Sequence, residues 1–393
     1  MSALYPIVIE YAVYICFTLI WAAHFIFSLS YLKVARIVRK QKAQPSPISK
    51  EPVSVVVIAH NEADKLRRNL PHILEQDYEQ FEVIVVNNAS TDETEDVLKY
   101  LELKYLHLRH TFIPSGTRNL SPKKLALTIG IKAALYDWVL FVEPDCYPQT
   151  SNWISEISKA FTAKTQIVLG CANHTEHQKW LHRKSSFYNL FHEFQYLTWA
   201  MTHKAYRCNP ANFAYRKSLF LEHKGFLEDV KLLEGTAELL VNRHCTKTNT
   251  TVVLSPEAKM ICKSPDTSAN WQLQRAFYYE TRRHFKTKNA YRFMFALKQL
   301  FIHLFYWTFV GTLIWSILHQ QWLATGLTSL FFMILILCKI YWFNRSCKAI
   351  GESTFYLPFL WLESRILWWE VSSWFNTVDA RNVFSTVKLI KSL

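Results

Sequence analysis

Three short polar clusters each follow an apolar run, and these are the residues whose types could do chemistry. Glu143 and Asp145 stand two residues apart around Pro144, directly after Trp138-Val139-Leu140-Phe141-Val142. That run has the unbroken apolar character of a central parallel strand, and the proline ends it because proline cannot donate to a sheet ladder. His60-Asn61-Glu62 follows the apolar run 53–59, and Asn87-Asn88-Ala89-Ser90 follows 81–86. Open α/β sheets bind ligands in the crevice outside the carboxyl ends of their strands. The three clusters therefore define a candidate ligand site.

The surrounding elements must bring these ends to one edge. In 121–146, Ser121-Pro122 supplies a helix cap and first turn, and Leu125, Ile129 and Ala133 recur at helical spacing. A polar break at Tyr136-Asp137 leads into the apolar run. Residues 53–59 are expected to form a strand, and 64–76 a helix with Leu66, Leu70, Ile73 and Leu74 on one face. A second strand is expected over 81–86. Ser90 and Glu93 give a capping box for a helix through about Leu101, and 105–110 is a third strand. Such alternation predicts an α/β fold with a doubly wound, mostly parallel sheet. Further on, 153–161 and 235–244 read as helices and 167–171 and 213–216 as strands, with 251–254 a late edge strand. Residues 185–202 form an aromatic-rich helix expected to skim the membrane, and 271–285 an aromatic and basic interfacial helix.

The 393 residues are half apolar and 15% aromatic but only 19% charged, a balance that suits a soluble domain joined to membrane segments. A net charge of +14 fits apposition to an anionic membrane. No zinc-finger spacing or basic arm accompanies it, so nucleic acid is not an expected partner. Residues 7–32 are long and apolar enough to cross a bilayer, and Lys33, Arg36, Arg39, Lys40 and Lys42 follow. By the positive-inside rule that flank is cytoplasmic and the amino terminus lies outside. Residues 300–318 and 322–343 make two more spans, flanked by Lys286, Lys288, Arg292 and Lys298 before and Arg345 and Lys348 after. Residues 355–375 carry Glu363, Arg365 and Glu370, charges costly at bilayer depth, so an interfacial or re-entrant helix is expected there. The predicted organisation is an N-terminal transmembrane helix (1–33), a basic linker (34–51), a catalytic-type domain (52–285), a transmembrane helical pair (286–345) and an interfacial or re-entrant helix with tail (346–393). The eight cysteines show no CxxC pairing and read as reduced thiols in a cytoplasmic compartment.

Four segments in order, VSVVVIAHNEADKL, VIVVNNASTDETEDVL, the run from PKKLALTIGIKAAL to VLFVEPDCYP, and ANFAYRKSLF, together resemble the family-two glycosyltransferases, specifically membrane-tethered bacterial members with a GT-A domain. The resemblance covers about 52–285. It implies transfer of a sugar from a nucleotide-sugar donor to a lipid-linked or cell-envelope glycan acceptor, with inversion, at the cytoplasmic face of the inner membrane. It implies donor contacts from Ala59, His60, Asn61 and Glu62. Asn88 stands where the family has a base-recognising aspartate, while Ser90 and Asp92 read as helix-capping residues. The family's DxD motif matches Glu143-Pro144-Asp145, whose hard oxygens suit Mg2+ or Mn2+ bridging the donor diphosphate. Lys123 and Lys124 would neutralise phosphates or serve as solvated first-turn lysines. The family's general base falls on Thr236, which cannot act as one near neutral pH; Glu238, or Glu234 one helical turn away, would take over. Trp271, Gln274 and Arg275 match part of a Gln-x-x-Arg-Trp-like motif, with Phe277 and Tyr278 where its arginine and aromatic would stand. Arg282, Arg283 and His284 would compensate or face lipid phosphates. Departures at Asn88, Glu143, Thr236 and Phe277 leave a second reading open, a catalytically degenerate subunit with a membrane-protein partner.

Overall fold

The structure, a computed structural model, describes residues 4–44, 46–113, 121–174, 179–229, 232, 234–286 and 289–385. Pro45 of the expected linker, Lys288 among the expected flanking charges, and the expected tail beyond Ser385 lie outside the described residues. The chain falls into two compact units: one holds the residues up to Arg36 and those from 289 to Glu370, the other the residues from Ile37 through 286.

The chain begins with α1 (Leu4–Ser28) and α2 (Ser30–Ala43). The second unit then alternates β1 (Val53–Ala59), α3 (Ala63–Leu74), β2 (Phe81–Asn88), α4 (Thr94–Lys104), β3 (Leu108–Ile113), α5 (Pro122–Ala133) and β4 (Trp138–Val142). β1 and β4 are buried almost throughout, which is why they read as unbroken apolar runs rather than alternating ones. A short β5 (Cys146–Pro148), α6 (Trp153–Ser158), β6 (Ile167–Leu169) and β7 (Ala172–His174) follow. After them come α7 (Trp180–Ala200), β8 (Phe213–Arg216), α8 (Lys217–Glu222), α9 (Ala237–His244), β9 (Thr250–Val252), β10 (Met260–Cys262) and α10 (Ser268–Arg283).

The main sheet runs β3-β2-β1-β4-β8-β6-β9. All neighbours are parallel except β8, which is antiparallel to both β4 and β6. The fold is thus α/β and mostly parallel, as predicted, and β9 is the edge strand. In register, Val57 pairs with both Val85 and Val142, so β1, β2 and β4 end side by side and their polar clusters meet. A second sheet, β5-β10-β7, lies beside them.

Three expectations change. α7 does not skim a membrane: Phe187, Leu190, Phe191, Phe194 and Leu197 are all buried, since its aromatics line the domain core on most sides. Ser90 is not the cap of α4; its Oγ accepts from the Asn61 N–H, and Asp92 Oδ1 takes the Thr94 N–H. Cys146 and Cys262 are not free thiols but a disulfide. The antiparallel register of β5 and β10 sets them face to face across 116 residues of sequence, a non-local pairing that spacing alone does not reveal.

The first unit contains α1, α11 (Asn289–Leu318), α12 (Trp322–Ala349) and α13 (Phe359–Ser385) as far as Glu370. Among the described residues, Tyr11–Ala43, Ala290–Leu318 and Trp322–Ala349 are long and apolar enough to cross a membrane. α13 is not among those segments. Phe17, Phe305, Leu335 and Ile336 pack at their centre. There the Lys339 ammonium ion-pairs with Glu363, both fully buried. Tyr31 and Tyr306 donate to the same carboxylate at 2.7 and 3.2 Å, and His24 Nε2 lies 2.9 Å from Lys339 Nζ. Glu363, costly when read alone, is therefore neutralised within the unit.

Candidate active site

Helix α5 sets one wall. Ser121 Oγ accepts the Lys124 N–H at its start, and Gly130 lets the helix lie close on the sheet, since a Cβ there would sit 2.6 Å from Val56 Cγ1. Lys123 and Lys124 then point apart, because neighbours on a helix are separated by about 100°. Lys123 Nζ reaches Glu143 at 3.1 Å and Glu234 at 3.6 Å. The Glu143 charge chiefly holds that ammonium protonated and raises its pKa. Lys124 departs from the expected phosphate contact. Its buried Nζ donates to the carbonyls of Asp229, Leu232 and Glu234 at 2.8, 2.8 and 3.0 Å, although burial pulls its pKa down to about 8.

Glu143 and Asp145 stand on the loop after β4. The loop is pinned from three sides: Cys146 N–H donates to Glu143 O at 2.9 Å, Lys263 N–H to Asp145 O at 3.1 Å, and Asn69 Nδ2 to Pro144 O at 2.9 Å. Burial, with the Glu143 charge second, pushes the Asp145 carboxyl up to about 6. Asp145 makes no ion pair among the described residues. Two crowded carboxylates, of which Lys123 pairs only with Glu143, form a donor set that fits a hard divalent cation.

A cavity of about 320 Å3 opens over this loop, lined by His60, Glu62, Lys65, Asn88, Lys123, Glu143 and Asp145 above a floor that includes Val56, Ile58 and Phe141. His60 Nδ1 donates to the Asn88 carbonyl at 2.7 Å, and Glu62 pairs with Lys65 at 2.6 Å. Two expected donor contacts fall elsewhere. Ala59 is fully buried in the core. Asn61, in the left-handed region at φ 56°, spends its side chain accepting from the Thr91 N–H at 2.8 Å; asparagine is among the non-glycine residues that adopt that conformation most readily. Lys65 was not foreseen; it lies in the first turn of α3 and lines the cavity.

A second cavity of about 310 Å3 adjoins the first, and Lys123, Glu143, Pro210 and Thr236 line both. Glu234, Glu238, Gln274 and Arg275 all border the second. Thr236 is the N-cap residue of α9 but makes no side-chain cap. Gly235 precedes it at φ 77°, where a Cβ would come within 2.7 Å of Thr281 Cγ2. Burial raises the Glu238 carboxyl above the usual range, opposed by the Arg207 charge, and the carboxylate makes no ion pair among the described residues. Glu234, by contrast, is tied to Lys123. Arg275 lies over Trp271 at 4.3 Å from the ring centroid, and Arg207 over Tyr278 at 3.3 Å. Arg207 was missed because it lies on an irregular segment with no period. It brings a guanidinium to the wall where Phe277 replaces the arginine of the motif. Arg283 instead pairs with Glu280 at 3.2 Å.

At the strand ends of this mostly parallel α/β sheet, acidic side chains line a ligand-sized cavity. Residues 54–223 match the family model Glycosyl transferase family 2. It is 28% identical over 95 residues to a poly-beta-1,6-N-acetyl-D-glucosamine synthase of Staphylococcus aureus (strain MSSA476), covering 24% of this chain and 22% of that protein. It is 32% identical over 76 residues to an uncharacterized glycosyltransferase of Rickettsia bellii (strain RML369-C), covering 18% and 11%. The chain thus spans under a quarter of the length of these curated relatives. A mannosyltransferase from Pyrobaculum calidifontis, solved with GDP-Man and Mn2+, superposes with a TM-score of 0.55 at 15% identity, over 93% of this chain and 99% of that one. At that identity the likeness shows the fold.

Proposed function

We propose that the protein is a membrane-bound, inverting glycosyltransferase that moves a sugar from a nucleotide-sugar to a lipid-linked or cell-envelope glycan. The observation that carries this reading is the pair of cavities meeting at Lys123, Glu143 and Thr236. The first, between the ends of β1, β2 and β4, is the donor chamber. His60, Glu62 and Asn88 offer hydrogen bonds to the nucleoside, and Lys123 and Lys65 offer charge to its phosphates. Glu143 and Asp145 would hold Mg2+ or Mn2+, which supplies charge stabilisation to the departing diphosphate. The second chamber takes the acceptor, with Trp271, Tyr188 and Tyr278 as flat apolar faces and Gln274 and Arg275 as donors.

Glu238 serves as the base. It opens into the acceptor chamber, is held in no ion pair among the described residues, and burial raises its pKa, which makes it the stronger base. Glu234 is the poorer candidate because the Lys123 ammonium, 3.6 Å away, occupies it. Inversion follows from one displacement, with the acceptor oxygen deprotonated by Glu238 as it attacks the anomeric carbon from the side opposite the diphosphate. Basic flanks around the three apolar segments support an inner-membrane protein with its catalytic domain on the cytoplasmic face.

One observation favours a second reading, a degenerate subunit of a membrane assembly: the side chain at the base position is Thr236, 4% exposed and chemically inert to this task. Incubation of the detergent-solubilised protein with UDP- and GDP-sugars, a membrane lipid extract and Mg2+ or Mn2+ separates the two. Metal-dependent release of nucleoside diphosphate, abolished in Asp145→Asn, is the expected result. Absence of both turnover and nucleotide binding across the panel would contradict the enzyme.

A further inference from the structure

Cys146 occupies an unusual position for a structural cysteine, immediately after the carboxylate pair. Its Sγ lies 3.3 Å from Asp145 Oδ1. Donor atoms of Glu143, Asp145 and Cys146 all fall within 4.8 Å of one another. Donors around one tetrahedral ion stand ~3.3–3.8 Å apart, given bond lengths of about 2.0–2.3 Å, so the three side chains must draw together by about an ångström to share it. In the disulfide, that sulfur is committed to Cys262 and cannot give a thiolate.

We propose that Cys146 is a third, redox-controlled ligand of the cation site, and that reduction of the Cys146–Cys262 bond converts a two-carboxylate site for hard ions into one that also takes a thiophilic divalent ion such as Zn2+ or Co2+. The proposal rests on Glu143 and Asp145 as cation ligands. A dithiol supplies the reducing equivalents: the Sγ–Sγ bond breaks, two electrons and two protons pass to the cysteines, and the dithiol closes to its own disulfide. Cys146 then releases its proton to solvent on ligating, since the thiolate is the donor. Thiolate beside carboxylates shifts preference toward borderline ions, whereas carboxylates alone favour Mg2+ and Mn2+.

The loop keeps its place without the disulfide. The hydrogen bonds from Cys146 N–H, Lys263 N–H and Asn69 Nδ2 hold Glu143, Asp145 and Pro144 independently of it, and β10 stays paired to β7 as well as β5. Reduction thus changes the donor set more than the scaffold. In a compartment that keeps thiols reduced, the three-donor form is the resting one.

Cobalt spectroscopy of the full chain in detergent tests this, with Co2+ as the probe and the reductant removed beforehand. Oxidised protein should show the weak ligand-field bands of an oxygen site only. Reduced protein should gain a near-ultraviolet sulfur-to-cobalt charge-transfer band, absent in Cys146→Ser. Cys262→Ser should show the band without any reductant, which guards against a fold-sensitive reduction step. A charge-transfer band missing from reduced wild type and Cys262→Ser, or persisting in Cys146→Ser, overturns the cysteine ligand even if the ligand-field bands remain. Absence of all cobalt bands in every form overturns the proposal together with the carboxylate site beneath it.

Discussion

Glu238 carries the residue-scale argument, because a desolvated carboxylate held in no ion pair is a different reagent from one locked to an ammonium, as Glu234 is to Lys123. Its raised pKa places the acid limb of the transfer rate above the ordinary carboxylate range, as the base is lost when pH falls through its folded pKa. Glu238→Gln should abolish that limb in a pH–rate profile, and a limb that survives the substitution would assign the base elsewhere. Stability runs the other way. A carboxyl whose pKa is higher folded than unfolded loses stability as pH rises between those two values, so Glu238→Gln should melt no lower than wild type at pH 7. Glu143, Asp145, Lys123 and Glu238 were legible from strand-end position or from the family pattern. Lys124, adjacent to Lys123, was not separable from it by sequence, since only the helix rotation decides which ammonium meets the cavity and which meets backbone. Arg207 and the cysteine bridge were invisible for a common reason: each gains its meaning from a residue some 70 to 116 positions away.

The elements position these groups through close approaches. α5 reaches the sheet because Gly130 has no side chain there, and the turn before α9 exists because Gly235 tolerates a positive φ. Between them, Lys124 gathers three carbonyls of the 229–234 segment, so that the chain bearing Glu234 and Thr236 is stitched to α5. Hydrogen bonds from a charged donor contribute about 1.5–3 kcal/mol each when lost from a buried site. Lys124→Met, which keeps the stem but removes the donor, also removes the cost of burying an ammonium, so the net loss of stability should be roughly 2–4 kcal/mol, less than the three bonds summed, read as a shift of the urea midpoint with unchanged slope. It should also reduce transfer by displacing Thr236 and Glu238. An unchanged midpoint would show that the three carbonyls find other donors. The strands and the helices packed on them were readable from continuous apolar runs and 3.6-residue periods. α7 was misread because a helix buried on most sides has the same aromatic composition as one lying on a membrane.

The whole molecule combines an α/β unit with a helical unit whose centre is charged. Lys339 and Glu363 are both fully buried, and removing one partner leaves an uncompensated charge, at a cost of about 3–5 kcal/mol. Lys339→Met should therefore destabilise the detergent-solubilised protein far more than Lys339→Met with Glu363→Leu, where both charges go and apolar volume remains. Equal losses in the single and double variants would mean that the ion pair itself, rather than its balance, holds the helices. The most direct test of the account as a whole is the metal-dependent release of nucleoside diphosphate by wild type and Glu238→Gln, measured side by side with the same nucleotide-sugar and acceptor. A competent enzyme that uses Glu238 in place of Thr236 predicts turnover by wild type and a fall of about 10²–10⁴ in the variant, with nucleotide binding retained. Turnover of the variant at the wild-type rate, or a wild type that binds nothing and turns over nothing, would contradict it.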